Sequence, residues 1–457
     1  MNHDLILHAL EQCFALNRGN SKVLVVGLGK TGLSVAYYLR QLGLQFAIVD
    51  SRDKPPFNDD LLAEMPDIPV FTGGFDHAAF EVATHIIVSP GVSMDEPMIK
   101  QALAQGVRAL SDIDLFACSV DVPVVAITGS NGKSTVTTML GAMAKAEGKC
   151  VAVGGNLGTP ALDLLDEAVE VYILELSSFQ LERTTQLKAV AATVLNVSAD
   201  HLDRYVDIEA YARQKQKVFT GEGVALINVD DPYVLAMSES GRKTLTFGLN
   251  HQADYSVLEL PEGDYLAFRG RAILAVSALK VVGAHNQANA LAALALGSVI
   301  GLSEEAMCTA LRHYKGLKHR MQLVADINGV QWVNDSKATN VGACIAALQG
   351  FKKSNVVLIA GGDCKGADMQ ELVPIVTEKV KALLLIGKDG GLIKQVMQDA
   401  IAIYDAGSLK KAVKKAVKIA EPGDTVLLSP ACASLDQFTN YQERGKVFAS
   451  QVQALVK

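Results

Sequence analysis

The residues best equipped for chemistry lie between Thr128 and Thr135, in the run Thr-Gly-Ser-Asn-Gly-Lys-Ser-Thr. Gly129 and Gly132 allow a turn that brings backbone N–H groups onto a phosphate. Lys133 adds a point charge, and Ser134 offers a hydroxyl to Mg²⁺. Asn131 and Thr135 extend the polar cradle at a helix N-terminus, whose dipole favours an anion. The loop is shorter than the usual phosphate loop. The competing reading is an ordinary strand, turn and helix whose lysine is solvated.

Further polar residues close apolar runs. Glu175 ends Val-Tyr-Ile-Leu-Glu (171–175), and a carboxylate buried there without a partner is costly. Mg²⁺ beside the phosphates is one partner, and an arginine is another. His201 stands in Asp-His-Leu-Asp-Arg-Tyr (200–205) as a metal ligand, a base or a surface residue. The helix after it carries Tyr211, Arg213, Lys215 and Lys217. Amides at Asn286 and Asn289 suit either an adenine edge or a helix cap. A second turn, Gly27-Leu28-Gly29-Lys30-Thr31-Gly32, follows Lys-Val-Leu-Val-Val, and Asp50 ends the next strand. This pattern resembles the dinucleotide fingerprint, whose acid meets a ribose hydroxyl. The same turn suits any ligand with a diphosphate and a ribose, a nucleotide-sugar before a nicotinamide nucleotide, and the remaining alternative is a tight turn with no ligand.

The elements that must position these groups alternate regularly. Short apolar strands at 22–27, 45–50, 85–89, 124–127, 150–153, 171–176, 189–198 and 223–231 end in polar loops and lead into helical patterns. Residues 240–280 read as short strands with turns, and 281–303 as a buried helix. Alternation restarts past Gly316 with strands at 330–336, 355–362, 382–387 and 424–431, closing on Asp335, Lys365 and Ser434. Strands whose carboxyl ends all carry polar loops make doubly wound sheets with a ligand crevice along that edge. The expected fold is α/β in three domains. Residues 1–111 form a Rossmann-like domain, 112–316 a P-loop-type ATPase domain with a mostly parallel sheet, and 317–457 a second Rossmann-like domain.

Composition narrows the class. With 457 residues, 49% apolar and 20% charged, the chain is expected to be a compact soluble protein. A net charge of −7 without a basic run to offset it argues against a nucleic-acid partner. Seven scattered cysteines without a C-x-x-C pair read as reduced cytosolic thiols. The N-terminus lacks a cleavable apolar core, so a cytoplasmic location without membrane insertion is expected.

With these pieces in place the sequence resembles the Mur ligases, the ATP-dependent amide-forming enzymes of peptidoglycan synthesis, over nearly the whole chain. The resemblance rests on TGSNGKST, LELSSFQLE, DHLDRY, GAHNQANALAALALG, the His319-Arg320 pair, NDSKATN, GGDCKGAD and SPACASLDQF. It is strongest to the branch that adds D-glutamate to UDP-N-acetylmuramoyl-L-alanine. The resemblance implies that Lys30, Thr31, Asp50, Ser51, Arg52 and Gly91 hold the uridine diphosphate, with Asn156 at its sugar end. Gly129, Asn131, Gly132, Lys133, Ser134, Thr135, Asn289, Arg320 and Asp335 would bind ATP. Ser134 and Glu175 would ligate one Mg²⁺, and His201 with Lys215, carbamylated by CO₂, a second. Ser177, Thr339, Lys365, Ser434, Leu435 and Tyr441 would receive D-glutamate, Tyr441 standing where phenylalanine is expected. Lys133, Glu175, His201 and Lys215 would be the catalytic set of a monomeric enzyme. A nicotinamide oxidoreductase leaves the Lys133 loop unexplained, and a switch ATPase would turn over ATP without acid or amine.

Overall fold

The computed structural model describes residues 2–201, 204–281, 283–351, 353–397 and 401–455. Leu202 and Asp203 of the Asp-His-Leu-Asp run therefore lie outside the described residues. The first sheet contains β1 (Val23–Val26), β2 (Phe46–Asp50), β3 (Val70–Thr72), β4 (His85–Val88) and β5 (Arg108–Leu110). All five are parallel in the order β3-β2-β1-β4-β5. Strand order reverses between β1 and β4, which opens a crevice beyond their carboxyl ends.

The second sheet is built from β6 (Val124–Thr128), β7 (Val151–Gly155), β8 (Val171–Glu175), β9 (Ala191–Val194), β10 (Val224–Asn228) and β11 (Thr244–Phe247). It continues through β12 (Tyr255–Leu260), β13 (Gly263–Phe268) and β14 (Arg271–Ala275). Its order is β14-β13-β12-β11-β10-β9-β6-β8-β7, and only the β12–β13 and β13–β14 pairs are antiparallel. The central strand β6 is buried at every position, consistent with its uninterrupted apolar sequence. It leads into the helix Lys133–Ala146. The long apolar segment forms the helix Ala284–Val299, whose residues Ala290 to Leu296 are all fully buried. Among the described residues no helix is long and apolar enough to cross a membrane.

The third sheet takes β15 (Gln322–Ile327), β16 (Val330–Asn334), β17 (Val356–Gly361), β18 (Val380–Ile386), β19 (Ala402–Gly407) and β20 (Thr425–Leu428) in the order β15-β16-β20-β17-β18-β19. Only β15 is antiparallel to its neighbour. The strands without a clear sequence signal, β3, β5, β15 and β19, all lie at sheet edges and are partly exposed. An edge strand with one solvated side lacks the continuous apolar run that marks a central one.

Hydrophobic packing is unevenly shared between the sheets. One buried cluster runs from Ile6 and Leu10 through Val25 and Phe116 to Tyr172 and Val218, joining the first and second sheets. The clusters of the third sheet draw only on residues from Met321 onward. The contacts that tie it to the second sheet at the site are polar.

Candidate active site between the second and third sheets

Lys133 opens its helix, and its Nζ turns back to donate to the carbonyls of Gly129 (2.7 Å) and Ser130 (2.9 Å). Gly132 has φ of 83°, and a Cβ there would lie 2.4 Å from Asn289 Oδ1. Glycine is therefore required where the helix Ala284–Val299 approaches the loop. The backbone N–H of Asn131 donates to Asn196 Oδ1 at 2.8 Å, holding the loop against the end of β9. Ser134 is buried and its Oγ accepts from Arg320 Nη2 at 3.0 Å, a contact between the second and third units.

Glu175 is buried at the end of β8. One of its oxygens accepts from Asn156 Nδ2 at 2.6 Å, and the other, Oε2, is buried without a partner. An orphaned carboxylate oxygen in a cavity lined by Lys133 and Ser134 matches the donor chemistry of a hard divalent cation. Among the described residues no group of three His, Cys, Asp or Glu side chains converges.

Lys215 lies on the helix Ile208–Gln216 with 1% exposure, its Nζ 2.9 Å from the Gly129 carbonyl and 4.3 Å from the centre of the Tyr211 ring. Burial, reinforced by Lys133, holds its amine well below the ordinary lysine range. Lys217 points elsewhere and donates to the Glu182 carbonyl at 2.6 Å. Burial also lowers Lys133, against the pull of Glu175 and Asp200. His201 adopts φ of 57°, rare for a residue with a side chain, and its ring packs against Phe179 at 4.7 Å.

Sequence reasoning did not assign a role to Asp200, the hub of the interface. Its carboxylate receives Lys365 Nζ at 2.5 Å and Asn340 Nδ2 at 3.0 Å, both from the third unit. Asn340 also exchanges amide contacts with Asn131, at 3.3 and 3.4 Å. Burial acts to raise Asp200, but His201, Lys365 and Asn340 outweigh it and bring the carboxyl to about 2. Lys337 was also missed, although it follows Asp335 in the Asn-Asp-Ser-Lys run. It lies 4.2 Å from the Tyr441 ring centre, and burial with Arg320 and Lys133 nearby lowers it to about 7. Asp335 accepts from the Met321 N–H (3.2 Å) and Ser429 Oγ (2.9 Å), and burial raises it to about 7.

These groups line one cavity of about 1190 Å³, which also takes in Asn131, Thr135, Asn156, Ser177, Asn289 and Thr339. Ser434, Leu435 and Tyr441 are not among its lining residues, and Leu435 is 71% exposed. Ser177 caps its own helix, accepting from the Gln180 N–H at 3.2 Å.

The residues expected at the uridine diphosphate lie apart, at the carboxyl edge of the first sheet. A Cβ on Gly32 would come within 2.0 Å of the Gly27 carbonyl oxygen, so the turn depends on that glycine. Thr31 is half-buried, and Ser51 and Gly91 are exposed. Lys30 donates to the Gly158 carbonyl of the second unit. Asp50, expected with Arg52 at the uridine diphosphate, is paired with that arginine. Its oxygens accept the Leu28 N–H (2.7 Å), the Arg52 N–H (2.9 Å), and Arg52 Nε (2.8 Å) and Nη2 (2.6 Å). Arg52 follows two residues later and folds back within reach of both oxygens. Two further arginines grip the neighbouring loop. Arg183 donates to the carbonyls of Val88 (3.1 Å), Ser89 (2.6 Å) and Val92 (3.0 Å), and Arg204 to those of Pro90 and Val92, both at 3.1 Å.

Comparison with known proteins agrees with this layout. Family models for the Mur ligase MurD-like N-terminal domain, the Mur ligase middle domain and the Mur ligase glutamate ligase domain match residues 21–111, 127–297 and 319–432. A UDP-N-acetylmuramoylalanine–D-glutamate ligase from Methylococcus capsulatus is 51% identical, covering 99% of this chain and 100% of the relative. One from Marinobacter nauticus is 48% identical, covering 95% and 98%. A solved pseudomurein peptide ligase type C from Methanothermus fervidus shares the fold, with TM-score 0.63 at 18% identity over 96% of this chain and 100% of that one.

Proposed function

The chain belongs to the Mur ligase family, and within it to the UDP-N-acetylmuramoylalanine–D-glutamate ligases. From that premise we infer that it joins D-glutamate to UDP-N-acetylmuramoyl-L-alanine with ATP, in the cytoplasm and as a monomer. Residues 1–111 serve the UDP-linked acid, 112–316 ATP, and 317–457 D-glutamate.

A carboxylate is a poor acyl donor. The alanyl carboxylate oxygen attacks the γ-phosphorus of ATP, ADP leaves, and an acyl phosphate forms. The D-glutamate amine then adds to the acyl carbon, and the tetrahedral intermediate collapses with loss of inorganic phosphate. Charge on the transferring phosphoryl group has to be balanced by fixed groups more than by covalent catalysis. Lys133 and the N–H groups of its loop hold the phosphates, and Arg320 reaches them from the third unit. Asn289 and Asp335 hold the nucleoside.

Ser134, Glu175, His201 and Lys215 as its carbamate would hold two Mg²⁺ ions, which when bound neutralise phosphate charge. Asn156 orients Glu175 for this. Lys30, Thr31, Asp50 with Arg52, Ser51 and Gly91 anchor the uridine diphosphate. Thr339, Lys365 and Ser177 face the cavity where the amino acid arrives, while Ser434, Leu435 and Tyr441 need the third unit to shift before they contact it. The separate apolar core of that unit is compatible with such a movement.

The observation that carries this reading is the orphaned Glu175 oxygen in the cavity shared with Lys133. Phosphate release should require ATP, the UDP-linked acid and D-glutamate together. Steady release from ATP alone would favour a switch ATPase and overturn the ligase reading.

A further inference from the structure

The loops that follow β17 and β20 pair briefly in antiparallel fashion. Asp363 and Ala433 exchange two backbone hydrogen bonds, Asp363 N–H to Ala433 O at 3.0 Å and Ala433 N–H to Asp363 O at 2.8 Å. One step along such a ladder comes a pair without hydrogen bonds, where facing side chains approach most closely. Here that pair is Cys364 and Cys432. Their sulfurs lie 2.9 Å apart, and both residues are buried. The backbone on each side is fixed: the Cys364 N–H donates to Asp389 Oδ2 at 2.9 Å, and the Cys432 carbonyl accepts from Arg444 Nη1 at 3.1 Å. A metal held by both thiolates would need its two sulfur ligands spread further apart than this. Direct sulfur–sulfur bonding fits the spacing.

We propose that Cys364 and Cys432 are a reversible dithiol–disulfide pair that ties together the two loops flanking the amino-acid end of the cavity. With hydrogen peroxide as oxidant, one S–S bond forms, both S–H bonds break, and the two protons and two electrons reduce the peroxide to two waters. A dithiol reductant reverses the step. Lys365 follows Cys364 directly, adopts φ of 50°, and reaches across to Asp200. Ser434 follows Cys432 by two residues. Tying the loops holds Lys365 in its pairing with Asp200, so its release toward an incoming dianionic amino acid becomes harder. This consequence rests on the function proposed above; the bond itself does not. The hydrogen bond shared by the two thiols, together with burial, holds the proton on Cys432 and pushes its thiol up, so reaction with oxidant should be slow and should speed up with rising pH.

The test treats the full-length protein with hydrogen peroxide at alkaline pH and maps disulfide-linked peptides by mass spectrometry. Mapping is needed because Cys344, whose Sγ lies 3.2 Å from the Ser429 carbonyl oxygen, is a buried competitor. Expected is a peptide joining Cys364 to Cys432, abolished by dithiothreitol and absent in Cys364→Ser and Cys364→Ala. The oxidised wild type should show a KM for D-glutamate raised at least about threefold, restored by reduction and unchanged by peroxide in the two variants. Free thiols at both positions after peroxide, or a bond from either one to Cys344, would overturn the pair. A Cys364–Cys432 bond with unaltered KM would overturn its action on the loop. Absence of ligation in the reduced enzyme would instead count against the proposed function, and the peptide map would still decide the pair.

Discussion

Lys133 and Lys215 donate to the same oxygen, the Gly129 carbonyl, at 2.7 and 2.9 Å. Two ammonium groups so close in a buried site would repel each other, and Lys133 is one of the causes that lower Lys215. A neutral amine is the form that reacts with CO₂, and the carbamate replaces a positive charge with an anionic oxygen donor. Carbonate enriched in ¹³C should therefore give a carbamate resonance in the wild type that Lys215→Ala lacks. The variant should lose most activity and regain part of it with a short carboxylic acid, while Lys217→Ala should change little. Full activity of Lys215→Ala without added acid would refute the assignment.

Lys133→Ala should lower the ligation rate by about 10²–10³ while leaving the fold intact. The side chain contacts loop carbonyls and is not part of an apolar core. Circular dichroism would verify the fold, and retention of more than about a tenth of wild-type activity would argue that the loop does not hold the reacting phosphate.

Lys365→Ala removes a cation that is paired with Asp200. Charge-assisted hydrogen bonds contribute about 1.5–3 kcal/mol, so KM for D-glutamate should rise at least about tenfold. KM for the UDP-linked acid should hold nearly constant. A parallel rise in both would mean that the residue holds the third unit in place and does not contact the amino acid.

Arg204 ties the Pro90–Val92 loop of the first sheet to the segment that carries His201, and its guanidinium lies 4.3 Å from the centre of the Phe179 ring that packs on His201. Arg204→Ala should raise KM for the UDP-linked acid at least about threefold with little change in KM for ATP. Steady-state kinetics would separate the two, and an unchanged KM for the acid would remove the positioning role.

Asp335 makes stability depend on pH. Burial raises its carboxyl to about 7, whereas an unfolded aspartate titrates at about 4. The native state therefore binds more protons between those values, and this contribution to stability is lost as pH rises through about 7. The slope from one such group is at most about 1.4 kcal/mol per pH unit. Urea melts at pH 5 and pH 8 should show a smaller loss in Asp335→Asn than in the wild type. Equal losses would mean that Asp335 is ionised throughout.

The chain's local chemistry was legible in its sequence. Gly129, Gly132, Lys133 and Ser134 are nearly contiguous, and a buried strand running into a glycine turn and a helix follows from their order alone. The same holds for Gly27 to Gly32 and for the placement of Glu175 at a strand end. What tertiary structure decided is the pairing of distant side chains. Asp200 meets Lys365 across 165 residues and Asn131 meets Asn340 across 209, and no periodicity records such contacts. Asp50 shows the local counterpart: Arg52, two residues along, folds back onto its carboxylate. Cys364 and Cys432 read as scattered thiols until two loops from different strands set their register. A turn is determined by the torsions of adjacent residues, whereas a partner across a cavity is determined by how whole sheets stack.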